Sequence, residues 1–434
     1  MYYDLIQEGK IAMEYQKKVL SNGLRLISIP MKDLKSATVL VLVGTGSRYE
    51  DEKNNGIAHF LEHMFFKGTT KRPNTTDISS EIDGLGADYN AFTGKEYTGY
   101  YVKAASEHLK TALDIISDML INSKFDTEEI EREKGVIVEE INMYEDTPMR
   151  HVGDVYEALV YQGNPLAFDT AGTKEIVRSA NREMFIEYLH RFYTPDNMVV
   201  VVSGDIERYD TEKLAEEYFG KMKQGKPHEF MRYSEEQKEP ILEVAHKKTD
   251  QAHFCLGLRS LPIGHPDRYA LTVFNTIMGG NMSSRLFIEV RERRGLCYYI
   301  SSDNEAHLDT GSWVIQAGVD VNRIDEAVKV TLEELDKIRK EKVTDKELIK
   351  AKDYLKGKLA LGLEDSKGVA NLYGAGELLE KRIRTPEEII SGIESVTAED
   401  ILRVAKNLVK NEKLAFAVIG PYEDKTRFQR LLSL

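Results

Sequence analysis

Three short segments recur along this chain at nearly one spacing. Ser36-Ala37-Thr38-Val39 finds a counterpart in Gln251-Ala252-His253-Phe254, 215 residues on. The β-rich run ending at Gly204 finds one in Phe416-Ala417-Val418-Ile419-Gly420, at an offset of 216. Thr127 and Thr344, each opening a charged helical stretch, are 217 apart. Anchors in chain order at near-constant spacing are the mark of duplication. They predict two tandem copies of one α+β domain, each of about 210 residues. The stretch from Lys223-Gln224-Gly225-Lys226-Pro227 to Glu239-Pro240 carries Gly, Pro and many charges, so it reads as a linker. The expected division is a domain at 1–222, a linker at 223–240 and a second domain at 241–434.

Local patterning fits mixed strands and helices. Ser21-Asn22-Gly23 reads as a turn between strands near 16–20 and 24–30. Residues 37–43, 88–93, 96–103 and 198–202 read as strands, and 56–66, 106–121 and 126–145 as helices. Residues are 41% hydrophobic and 30% charged, enough apolar material for sizeable cores. The net charge of −13 repels phosphate backbones, so no nucleic-acid partner is expected. Cys255 and Cys297 are too few for a disulfide framework or a cysteine-based zinc site, and Cys297 reads as a buried thiol. No apolar run approaches the ~20 residues that span a bilayer. Met1–Lys10 has neither signal-peptide nor transit-peptide character, so a soluble, cytoplasmic protein is expected.

Chemistry concentrates in Gly56-Ile57-Ala58-His59-Phe60-Leu61-Glu62-His63-Met64. Positions i and i+4 share one face of a helix, so His59 and His63 can address one ion. Glu62, at i+3 from His59, lies on the same side. Two imidazoles leave a divalent ion room for a third ligand and an open position, as catalytic zinc requires. A free carboxylate beside that position can deprotonate water. The order His-x-x-Glu-His inverts the commoner zinc-peptidase order. A third ligand must come from elsewhere. Glu133 and Glu140 are seven apart and share a helix face, which offers one ligand and one supporting carboxylate. Glu139 points about 100° away from Glu140, so the two cannot both bind directly.

These motifs resemble the pitrilysin family of zinc metallopeptidases. The matching residues are His59-Phe60-Leu61-Glu62-His63-Met64-Phe65-Phe66-Lys67-Gly68-Thr69 and the Glu133-to-Glu140 helix, which ends 77 residues beyond His63. The chain is most similar to the two-domain branch that includes the processing-peptidase subunits, over essentially its whole length. The resemblance implies two homologous domains, each a mostly antiparallel sheet packed with helices. It implies one Zn2+ per chain, held by His59, His63 and Glu140, with Glu62 as general base and Glu133 as a supporting acid. Glu139 becomes the alternative ligand.

The family also carries an Arg and a Tyr seven residues apart, which Arg291 and Tyr298 match. The resemblance implies that they bind the substrate carbonyl and stabilise the oxyanion, as a guanidinium and a phenol can. Gly279–Leu286, just before them, reads as a loop followed by a helix. Asn90 and Ala91 fall on a segment similar to the family's substrate-binding edge strand, where an extended peptide adds by strand pairing. The second copy carries none of the metal residues. Phe274, Ile277 and Met278 fill the slots of His59, Glu62 and His63, and Lys350 and Gly357 those of Glu133 and Glu140. The implied activity is zinc-dependent endoproteolysis of extended peptides or unfolded segments. The implied assembly is a dimeric chamber, either a homodimer or a heterodimer with a homologous subunit. Two other readings compete: a catalytically silent, peptide-holding or structural subunit, and a non-proteolytic metal hydrolase using the same ligands.

Overall fold

The computed structural model describes residues 13–225 and 229–434; Met1–Lys10 and linker residues 226–228 lie outside them. The strands run in chain order as β1 (Gln16–Val19), β2 (Arg25–Pro30), β3 (Ser36–Val43), β4 (Asp88–Thr93), β5 (Thr98–Ala105), β6 (Met198–Gly204), β7 (Ile241–His246), β8 (Gln251–Ser260), β9 (Cys297–Ala306), β10 (Gly311–Asp320) and β11 (Leu414–Gly420). The helices used below are α1 (Ile57–Phe65), α2 (Leu109–Asn122), α3 (Thr127–Glu145), α4 (Pro148–Val160), α5 (Arg268–Met278), α6 (Asp345–Gly362) and α7 (Ser366–Ala375).

One sheet has the order β1-β2-β6-β3-β5-β4, the other β7-β11-β8-β10-β9. With β1 set aside, the two correspond strand for strand. In each, one pair is parallel (β2 with β6, β7 with β11) and the other pairs are antiparallel. β3 and β8 begin at Ser36 and Gln251, and β6 and β11 end at Gly204 and Gly420, so two of the sequence anchors are strand ends in register. The duplication is thus present in the fold.

The chain forms two compact units that are not contiguous in sequence. The first holds residues up to Ile141, Phe168–Met231 and Leu359–Ile389; the second holds Asn142–Ala167, Arg232–Lys358 and Ile390–Leu434. Two segments therefore lie across the division expected at 222 and 241. The alternation of side chains along a strand explains why each sheet needs cover on both faces. In the first unit, Val39, Val41, Val43, Val200 and Val202 share a core with residues of α1 and α2. Leu40, Leu42, Val199 and Val201 point the other way and pack on Val369, Ala370 and Tyr373 of α7. In the second unit α4 takes the matching role, with Val152, Tyr156 and Val160 against Cys255, Ala415, Ala417 and Ile419. Gly257 of β8 makes room for that helix: a Cβ there would collide with the Tyr156 hydroxyl oxygen. Each sequence half thus contributes one helix to the other half's sheet. Periodicity shows that α4 and α7 have an apolar face, but not which sheet covers it.

The linker is held by each unit in turn. Arg48 donates to the Met231 carbonyl at 3.1 Å, and its guanidinium sits 4.0 Å above the Phe230 ring. Beyond the unit boundary, the Tyr233 N–H donates to Asp309 at 2.8 Å and Gln237 to the Leu414 carbonyl at 2.8 Å. Among the described residues no helix is long and apolar enough to cross a membrane.

Candidate metal centre

α1 buries Ile57, Ala58, Phe60, Leu61, Met64 and Phe65, which leaves His59, Glu62 and His63 on its half-buried side. The helix starts at Gly56, whose φ of 93° is open to glycine at little cost. A side chain there would also collide with the chain: a Cβ would lie 2.6 Å from the Ala171 carbonyl oxygen. Gly56 has no side chain to cap the helix, and Glu50 does so instead. Its Oε2 accepts the Gly56 N–H at 2.7 Å and its Oε1 the Ala58 N–H at 2.8 Å. Burial pushes the Glu50 carboxyl up to about 7.

α3 buries Ile130, Glu133, Ile137 and Ile141, and this stripe turns Glu140 toward α1 while Glu139 faces solvent. One ligand-type atom from each of His59, His63 and Glu140 lies within 4.8 Å of the other two, and they form the single such group among the described residues. The His59 and His63 Nε2 atoms stand 3.6 and 3.5 Å from Glu140 Oε2. Ligand atoms about 2.0–2.1 Å from a tetrahedral zinc lie roughly 3.4 Å apart. The donor set, two imidazoles and a carboxylate at that separation, fits a zinc ion.

Around this group stand residues that orient it. The His63 Nδ1–H donates to Glu133 Oε1 at 2.9 Å, and Lys67 Nζ donates to the other Glu133 oxygen at 2.6 Å. An acceptor on Nδ1 fixes the tautomer and leaves the Nε2 lone pair for a metal. Burial works to raise the Glu133 carboxyl, but His63 and Lys67 together outweigh it and hold it below its ordinary value. Glu62 belongs to no such pair. Burial pushes its carboxyl up, against the Thr93 hydroxyl and His63, which favour the charged form. That hydroxyl reaches Glu62 from the last residue of β4.

Asn90 and Ala91 lie on β4, the terminal strand of the first sheet; Asn90 is exposed and its side-chain oxygen accepts the Ala91 N–H at 2.9 Å. Arg291 and Tyr298 belong to the second unit, with the guanidinium 5.8 Å from the phenol ring centroid and Tyr298 75% exposed. The helix expected to follow the Gly279-Gly280 loop starts at Arg285 and continues as a π-helical turn over Phe287–Glu292 that carries Arg291. Cys297 is half-buried rather than buried; desolvation still pushes its thiol up to about 11 and keeps it protonated. Phe274, Ile277 and Met278 are core residues of α5, and on α6 Lys350 donates to the Ser283 carbonyl at 2.6 Å. Sequence reasoning gave no role to Glu50, Lys67 or Thr93. Lys67 carried a usable signal, since it follows His63 by one helical turn; Glu50 and Thr93 act from outside the helix and carried none.

Known proteins of similar sequence and fold extend this picture. Residues 26–174, which include the whole metal group, match the family model described as Insulinase (Peptidase family M16). Residues 179–355, which include Arg291 and Tyr298, match that of the Peptidase M16 inactive domain. The chain is 38% identical over 400 residues to an uncharacterized zinc protease, YmxG, of Bacillus subtilis, covering 92% of this chain and 97% of that protein. It is 32% identical over 437 residues to the mitochondrial-processing peptidase subunit beta of Mus musculus, covering 97% and 87%. The crystal structure of a protease from Helicobacter pylori has the same fold, with a TM-score of 0.88 at 23% identity over 94% of this chain and 100% of that one. With the inverted histidine motif, the duplicated sheets and these matches in agreement, the chain belongs to peptidase family M16, the pitrilysin and insulinase family.

Proposed function

We propose that this chain is a zinc-dependent endopeptidase that cleaves extended peptides or unfolded segments. The observation that carries this reading is the convergence of His59, His63 and Glu140 with Glu62 on the same helix face, outside the ligand group. Zinc bound there supplies a Lewis acid that polarises the scissile carbonyl and acidifies water. Glu62 takes the proton of the attacking water and returns it to the leaving amine. Its upward-shifted carboxyl suits that duty, because a proton must be held between the two steps. Glu133 orients His63. The peptide adds to β4 beside Asn90 and Ala91, where an edge strand offers unpaired backbone groups.

Arg291 and Tyr298 donate to the oxyanion in this reading, and we assign them to the partner chain of a dimer. Only the first copy carries metal residues and only the second carries this pair, so two chains together supply two complete sets. The partner is a second copy, or a homologous subunit as the word subunit in the name of the mouse relative suggests. Cytoplasmic placement remains part of the same reading.

A quenched peptide library tests it. Cleavage by the full chain, lost on chelation and restored by zinc, is expected. Glu62→Gln is expected to keep zinc and abolish cleavage. Peptide binding without cleavage by the wild type would favour the silent, peptide-holding alternative.

A further inference from the structure

We propose that Glu50 is a positioning residue for the metal-binding histidines, holding the first turn of α1 from a loop outside the helix. The inference rests on the reading of His59 as a ligand. A helix leaves its first four N–H groups without intrahelical acceptors, and those ends fray unless something else accepts them. α1 is only nine residues long, so its first turn is a large fraction of it. That turn contains His59. The N-cap is a glycine and provides no side-chain acceptor.

Glu50 meets the need with both carboxylate oxygens. Oε1 accepts from Ala58, the residue before His59, at 2.8 Å. Oε2 accepts from the Gly56 N–H at 2.7 Å and from the Asn55 amide at 3.0 Å. Asn55 in turn donates to the Asp169 carbonyl at 2.9 Å, which ties the loop to the segment that Gly56 packs against. Glu50 is 4% exposed, so water does not compete for these bonds. The carboxylate that accepts both bonds prevails above the group's value of about 7, so the test below is run at about pH 8. The far end of α1 is held separately, through Lys67 and Glu133 to His63. Each histidine thus has its own anchor, and Glu50 is the anchor of His59. It touches neither substrate nor reacting atoms, so it acts through the placement of α1.

Glu50→Gln tests this in the full chain. The amide presents one acceptor oxygen where the carboxylate presents two, so Gly56 or Ala58 loses its partner at nearly constant volume. Zinc affinity, measured by competition with a chromophoric chelator, is expected to fall about tenfold to a hundredfold, the range seen when support of a ligand is removed. The rise in melting temperature on adding zinc is expected to shrink with it, which a general loss of stability would not produce. Unchanged zinc affinity with wild-type zinc binding intact would overturn the role of Glu50 and leave the proposed function standing. Failure of the wild type to bind zinc would overturn both. If the variant does not fold, amide hydrogen exchange of the metal-free wild type decides. Gly56 and Ala58 are expected to exchange as slowly as the middle of α1, and fast exchange there would end the proposal.

Discussion

The Thr93 hydroxyl donates to Glu62 Oε2 at 2.5 Å, joining the edge strand of the first sheet to the carboxylate beside the metal group. The strand proposed to take the peptide therefore also orients the proposed base. A hydrogen bond to a charged group is worth about 1.5–3 kcal/mol. Thr93→Val is expected to lower kcat about tenfold to a hundredfold with little change in KM, and Thr93→Ser to restore most of it. A rise in KM alone would show that Thr93 serves the strand and not the base.

Glu140 and Glu139 separate cleanly in this arrangement, one facing the histidines and the other facing solvent. Glu140→Gln is expected to lower bound zinc well below one per chain after dialysis, while Glu139→Gln leaves it near the wild-type value. Metal analysis of the two variants checks this. Equal losses would remove Glu140 from the ligand set.

Glu50 gives a pH dependence with a definite sign. Its folded value of about 7 lies above the ordinary 4.5, because burial opposes the charge. The stabilising contribution of such a group is complete below the unfolded value and is lost as pH rises through the folded one. Relative to Glu50→Gln, the metal-free wild type should lose on the order of 3 kcal/mol between pH 4.5 and 8. Urea unfolding at the two ends of that range measures it. A constant difference between the proteins would mean that Glu50 does not titrate there.

The shared-site reading predicts complementation. Glu62→Gln and Tyr298→Phe chains are each expected to be inactive. Mixed under conditions of demonstrated subunit exchange, they form dimers with one intact composite site. Activity should return to roughly a quarter of the wild-type level for random pairing of two equivalent chains. No recovery would place Tyr298 in the site of its own chain.

How far the sequence could be read depended on the range of each contact. His59, Glu62 and His63 were legible because the helical period sets their geometry locally. The seven-residue step from Glu133 to Glu140 was legible for the same reason, and the family resemblance decided between Glu139 and Glu140. Thr93 and Glu50 were not legible. Their bonds to Glu62 and to the start of α1 are set by tertiary folding of β4 and of the loop before Gly56, and no fixed spacing announces them. The duplicated strands could be aligned from three anchors. The exchange of α4 and α7 could not, since an apolar face states a need for cover and not its source.

That exchange has a consequence for synthesis. The sheet face formed by Leu40, Leu42, Val199 and Val201 waits for Val369, Ala370 and Tyr373. As the chain leaves the ribosome, the metal-binding unit has all its strands once Gly204 is out, yet it stays open on that face until residues 366–375 follow. At ~5–20 residues per second the delay is on the order of ten to thirty seconds. During that interval a row of branched aliphatic side chains is bare, and a nascent chain in this state is a natural client for a holding chaperone.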